Sequence, residues 1–204
     1  VPHYASEANT QPGMPKYRDL NGDGVIDSND RTVIGNGLPK HTGGFTNNFN
    51  YRDFDLSIFF QWSYGNDVLN ANRLMFESSW NRTRELNQYA SYAERWTESN
   101  PTSNIPRATS SSSNRVFSSR IIEDGSFLRL KTVTLGYTVP RKMISRVGIE
   151  QLRVYFAAQN LFTISNYSGY DPEVSIRESA LTPGLDFSAY PRARSFSFGI
   201  NLGF

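Results

Sequence analysis

The last ten residues, Ser195-Phe196-Ser197-Phe198-Gly199-Ile200-Asn201-Leu202-Gly203-Phe204, put a large apolar side chain at every second position. A strand sends successive side chains to opposite faces, so this segment has one apolar face and one face of small or polar groups. A helix would scatter the same residues around its axis. A lipid-facing barrel strand with a polar lumen side demands this pattern. A sandwich core also alternates, so the rest of the sequence has to separate the two.

Four further runs alternate. Phe45, Asn47, Phe49 and Tyr51 share one side, with Thr46, Asn48 and Asn50 opposite. After the tight turn Arg52-Asp53, Phe54, Leu56, Ile58, Phe60, Trp62 and Tyr64 form the cleanest stripe. Asp55, Ser57, Gln61 and Ser63 oppose it, and Phe59 is the one large residue on that polar side. At about 3.3 Å per residue and a tilt of about 40°, such a run climbs roughly 25–30 Å, the height of an outer-membrane apolar band. In the third run, Phe127 to Val139, the residues Val133, Leu135, Tyr137 and Val139 share a side. Leu128 and Leu130 fall in the opposite phase, which predicts a bulge near Lys131-Thr132. Pro140 stops the strand, and Arg141 to Gln151 reads as a short helical turn closed by Gly148. The fourth run sets Leu152, Val154, Phe156 and Ala158 against Arg153, Tyr155, Ala157 and Gln159, ending near Thr163.

Connection lengths discriminate between barrel and sandwich. Short connections (52–53 and 140–151) alternate with long ones (1–41, 65–124 and 164–192). Outer-membrane barrels have short periplasmic turns and long extracellular loops. With Phe204 at the periplasmic side, the three long segments all become extracellular. Tyr51, Phe54, Tyr137 and Phe204 then lie at the periplasmic edge, with Trp62 and Tyr64 at the outer edge, as two aromatic girdles. The expected fold is all-β: an antiparallel transmembrane β-barrel segment with long extracellular loops containing short helices. Its parts are an extracellular loop over 1–41, a strand hairpin over 42–64, a long extracellular loop over 65–124 and three strands over 125–204. Within the long loop, Val68 to Trp80 and Leu86 to Trp96 have helical spacing, and Thr102 to Ser119 is a flexible Ser-rich stretch.

Composition excludes several classes. The net charge of +2 sets up no field for nucleic acid, and the absence of cysteine rules out disulfides and thiolate metal sites. No apolar run approaches the roughly 20 residues of a membrane helix, which leaves a barrel open. The chain starts at Val1-Pro2-His3-Tyr4 without an initiator Met or signal peptide, so the expectation is a piece of a longer precursor.

The segment from Asp19 to Asp30 has the spacing of a calcium loop. Calcium takes about six to eight hard oxygens. Asp19, Asn21 and Asp23 would offer side-chain oxygens, Val25 its carbonyl, Asp27 a direct or water-mediated ligand and Asp30 the closing carboxylate. Gly24 permits the sharp turn and Ile26 anchors the loop inward. An Asp/Asn/Gly-rich turn without metal is the alternative for the same residues. The ion would staple an external loop and not take part in catalysis.

Catalytic candidates are weak. His3 and His41 belong to no ligand pair, and His41 falls at a strand mouth. The adjacent Glu123-Asp124 is expected to be solvated loop charge in place of a glycosidase dyad. No nucleophile elbow, P-loop or Rossmann glycine pattern occurs, so no enzyme is expected. The sequons Asn81-Arg82-Thr83 and Asn166-Tyr167-Ser168 have meaning only in a eukaryotic secretory context.

The order of motifs resembles one family. Asp19 to Asp27, Ile34-Gly-Asn36, Phe54-Asp-Leu-Ser57 with Tyr64-Gly-Asn66, and Phe127-Leu-Arg-Leu-Lys131 through Leu135-Gly-Tyr137 carry the first half of the likeness. Leu152-Arg-Val-Tyr155 with Gln159-Asn-Leu-Phe162, Gly169-Tyr-Asp-Pro-Glu173 and Phe196-Ser-Phe-Gly199 carry the second. Together they resemble the C-terminal end of the SusC/RagA family, the TonB-dependent outer-membrane transporters of Bacteroidota. The resemblance implies a barrel of about 22 strands filled by an N-terminal plug, of which this chain holds the last five. It also implies import of glycans or peptides, a SusD-like lipoprotein lid, energy from the TonB complex, and a place in the bacterial outer membrane against its lipid. It transfers no substrate residue. A secreted β-sandwich binding module with structural calcium is the alternative from another class, and a calcium-dependent hydrolase the third.

Overall fold

The structure is a computed structural model that describes residues 3–4, 11–79, 87–109, 117–145, 148–173 and 183–204. The first sequon and the middle of the Ser-rich stretch lie outside the described residues. The strands are β1 (His3–Tyr4), β2 (Val25–Ile26), β3 (His41–Tyr51), β4 (Phe54–Tyr64), β5 (Asp67–Asn70), β6 (Ile122–Asp124), β7 (Phe127–Thr138), β8 (Gln151–Ser165), β9 (Leu185–Asp186) and β10 (Ser195–Gly203). Two helices, α1 (Ala71–Phe76) and α2 (Arg141–Ile144), join them. The chain divides into two compact units, one from 1–36, 68–123 and 175–188, the other from 37–67, 124–174 and 189–204.

The second unit holds the five runs read from the sequence. They form one antiparallel sheet in the order β10-β8-β7-β4-β3, a meander in which each strand pairs with the long strand before it. Register aligns the apolar stripes. Phe49 lies opposite Leu56, Leu56 opposite Leu135, Leu135 opposite Phe156 and Phe156 opposite Phe198. One face is therefore apolar across all five strands, yet Phe49 is 55% and Phe198 73% exposed. A sandwich would cover these side chains with a second sheet; here they are open.

The predicted bulge sits where the phase break placed it. Phe59 faces Thr132 and Phe60 faces Leu130, so Lys131 is extra. That residue returns Leu128 and Leu130 to the face of Val133. β8 answers with its own extra residue: Leu130 faces Phe162 while Thr132 faces Gln159. Asn160, between them, has φ +52°, a left-handed conformation that Asn tolerates better than most residues. At the other end of the sheet, Arg52-Asp53 closes the β3–β4 hairpin, and α2 lies in the short connection from β7 to β8.

The first unit corrects the helix expectation. Asp67–Asn70 is a strand, central in a small sheet of order β6-β5-β9, and among the described residues of the first window only Ala71–Phe76 is helical. Val68 and Asn70 are buried and their neighbours less so, a period of two hidden in a window that also fits a helix. The Asn70 side chain accepts from Arg73 N at 3.3 Å and so fixes where α1 starts. In the second window, Leu86 lies outside the described residues, and among 87–96 only Ala90–Glu94 winds, as a 3-10 turn. Val68, Leu74, Tyr92, Ile105 and Ile121 form this unit's core.

Candidate functional site on the polar face

The face opposite the apolar stripe carries Asn48, Asp55, Ser57, Gln61, Thr134, Arg153 and Ser197, with ion pairs in place of a greasy core. Asp55 on β4 receives both ends of the Arg153 guanidinium from β8, Nε to Oδ1 at 2.9 Å. The pair reaches across β7 at Gly136, where a Cβ would collide with both side chains. Gly136→Val should push the pair apart and cost about 1–3 kcal/mol, read as a lower midpoint in a urea titration of the folded protein.

A denser cluster lies at the other end of the sheet. Arg129 on β7 is only 2% exposed. Its Nη2 donates to Asp171 Oδ1, its Nη1 to Glu173 Oε2 at 2.8 Å and its Nε to Thr163 Oγ1 at 2.9 Å. Its guanidinium carbon lies 5.4 Å from the centre of the Phe127 ring. Glu173 also takes Lys131 Nζ at 3.3 Å and Arg192 Nε at 3.1 Å. Asp171 accepts the backbone N–H of Glu173 and, through Oδ2, that of Arg192 at 3.0 Å. Burial pushes the Asp171 carboxyl up, but the Arg129 hydrogen bond and the two backbone amides outweigh it and hold the group below the ordinary carboxylate range. In the sequence, Gly169-Tyr-Asp-Pro-Glu173 carries part of the family resemblance and no evident role. The available signal was an arginine inside Leu128-Arg129-Leu130, on the side of a strand that cannot face lipid.

The calcium-like loop belongs to the first unit. Val25–Ile26 forms β2, parallel to β1, and Ser28–Asp30 is a 3-10 turn capped by Asp27. Asp19 accepts from Gly22 N at 2.7 Å and Gly24 N at 3.0 Å, with both glycines at positive φ. Asn21 accepts from Asp23 N at 3.0 Å, and Asp23 accepts from Val25 N at 2.8 Å. Asp30 ties the loop shut by accepting from Leu20 N at 2.7 Å and Asp27 N at 2.9 Å. The amides of Asp27 and Leu20 hold the Asp30 carboxyl below its usual range. Each carboxylate thus faces the loop's own backbone. Among the described residues, no three His, Asp or Glu side chains are grouped as a cation cage.

Glu123 and Asp124 are no dyad, and the solvated reading of Glu123 is also corrected. Glu123 pairs with Arg73 at 3.2 Å; Arg73 and Arg120 share Glu77 at 3.1 and 2.8 Å. Asp124 accepts from Ser126 N at 2.9 Å. His41 begins β3, as its place at a strand mouth implied; its Nδ1 accepts from Trp62 Nε1 at 3.2 Å and its ring stacks on Tyr64.

Relatives with this sequence are known. The chain is 34% identical over 200 residues to TonB-dependent receptor P3 of Formosa agariphila, covering 96% of the chain and 19% of that protein. It is 37% identical over 197 residues to TonB-dependent receptor P26 of the same organism, covering 94% and 20%. With TonB-dependent receptor SusC of Bacteroides thetaiotaomicron it shares 30% over 200 residues, covering 97% and 18%. No family model matches. Among solved structures, the RagAB peptide transporter superposes with a TM-score of 0.73 at 27% identity, over 88% of this chain and 19% of that one. The RagAB peptide importer in its closed-closed state gives 0.74 at 26% identity, over 93% and 20%. The chain spans about a fifth of the length of the curated relatives it matches.

Proposed function

We infer, from the premise that this chain belongs to the SusC/RagA family of TonB-dependent receptors, that its five-stranded sheet is part of the wall of an outer-membrane transport barrel. The open apolar face meets lipid and the polar face lines the lumen. The whole protein imports glycans or peptides, with a SusD-like lipoprotein over the outer mouth and the TonB complex driving the cycle through parts beyond these strands. Catalysis forms no part of this reading.

The carrying observation is the row Phe49, Leu56, Leu135, Phe156, Phe198, exposed at every member but the half-buried Leu56, on one face of a sheet whose other face is polar. These residues contain no cysteine, so a thiol introduced here is the one thiol of this part of the protein, and any cysteine elsewhere in the full-length protein is first replaced by serine. In the full-length protein in vesicles, a fluorophore at Phe198→Cys should be quenched by nitroxide-bearing lipid chains, and one at Ser197→Cys should not. Equal quenching at both positions refutes the assignment of faces.

Calcium remains part of the proposal, with Asp19, Asn21, Asp23, Val25, Asp27 and Asp30 as ligands. The residue spacing and the wrap of the loop around Asp19 support it. Binding would turn carboxylate oxygens from the loop's amides toward the ion. Calorimetry on the full-length protein should lose one calcium equivalent in Asp19→Asn/Asp23→Asn, and chelation should expose 1–41 to protease. No heat of binding at millimolar calcium removes the claim.

A further inference from the structure

The Asp-Pro-Glu of residues 171–173 stands outside the strands, yet it holds the most buried charge on the polar face. Arg129 lies near the start of β7, between β4 and β8, and its two carboxylate partners come from the segment that follows β8. A long flexible loop has no need of such a tie. Burying a guanidinium is costly unless its hydrogen bonds are met, and here the donors reach Asp171, Glu173 and Thr163. The same Asp171 also binds the main chain of Arg192 and Glu173 takes its side chain, so 166–173 and 189–194 are joined at Arg192. Tyr167 is buried, which anchors the segment a second time. The rings of Tyr170 and Tyr190, on either side of this junction, are 79% and 89% exposed.

We propose that Arg129 is a positioning residue. With Asp171 and Glu173 it latches the 166–173 loop onto the polar face and makes Tyr170 a fixed part of the lining that a transported molecule meets. The lining role rests on the transport reading above; the latch itself does not. A ring carried on a pinned backbone loses little freedom when a ligand stacks on it, so pinning favours binding without adding a contact.

Two measurements on the full-length protein test this. Spin labels at Tyr170→Cys and Asn48→Cys should give a narrow distance distribution. Arg129→Gln should broaden it severalfold, and Asp55→Asn, which breaks the sheet's other ion pair, should leave it narrow. An unchanged width in Arg129→Gln, or equal broadening in Asp55→Asn, overturns the latch. Uptake of a fluorescently labelled tryptic digest of casein by cells then tests the lining. Arg129→Gln and Tyr170→Ala should raise the half-saturation concentration severalfold, more than they lower the maximal rate at equal barrel abundance. A fall in maximal rate alone overturns the lining role. If cells with the unaltered transporter take up no peptide, peptide import fails as the substrate reading while the distance measurement still decides the latch.

Discussion

Ile58→Arg is expected to destabilise the membrane-inserted protein by about 2–4 kcal/mol, and Ser57→Arg by far less. Ile58 lies near the middle of β4, opposite Asn47 and Val133, on the face that carries Leu56 and Phe60. A guanidinium there would have to enter hydrocarbon or distort the bilayer. Ser57, one residue earlier, lies opposite Asn48 and Thr134 on the polar face, where water can reach a charge. Urea titrations of both variants in lipid bilayers, read by tryptophan emission, measure the difference. In a soluble protein an arginine on an open surface costs almost nothing. Equal tolerance of the two substitutions therefore sinks the lipid assignment.

Arg129→Met is the second large effect, on the order of 3–5 kcal/mol. The substitution keeps an unbranched apolar stem and removes the guanidinium, leaving Asp171 buried without its main partner. Glu173 retains Lys131 and Arg192. The pH dependence should change sign. In the native protein the Asp171 carboxyl is held low, so its contribution is complete above the ordinary carboxylate value of about 4 and fades as pH falls through the lowered one. In Arg129→Met the burial that now opposes ionisation has less to counter it, and acidification should relieve the loss. Melting curves of the two proteins across the acidic range distinguish the cases, and Arg129→Met/Asp171→Asn should recover part of the stability at neutral pH. Parallel pH profiles would show that Asp171 does not depend on Arg129.

The strands were legible because a sheet with one open apolar face repeats one rule at every second residue, with no second sheet to blur it. The bulge was legible for the same reason, since Leu128 and Leu130 break phase and one extra residue repairs it. β5 was not. Its four residues are fewer than a periodicity needs, and the Asn70 cap makes α1 begin where a longer helix would have continued. The cluster at Arg129 was missed because its partners lie more than 40 residues apart in the chain, and only the pairing of β7 with β8 and the return of the following segment bring them together. The calcium-like loop shows the converse. Its ligand spacing is plain in sequence, and the same oxygens that an ion would use are the ones that stabilise the turn without it.

The paired extra residues at Lys131 and Asn160 have a consequence for register. Each slides the outer half of its strand by about one residue, roughly 3.3 Å, so the two together contribute to the shear by which a sheet closes into a tilted cylinder. Above the slip, Arg129 stands opposite Gln61 and Thr163; below it, Asp55 stands opposite Gly136, and Arg153 opposite Thr138. A strand misaligned by one residue would turn Arg129 or Arg153 into the apolar face. A strand miscounted by one residue on either side of the slip would therefore set a charge among apolar side chains, and the correct register alone leaves both ion clusters paired.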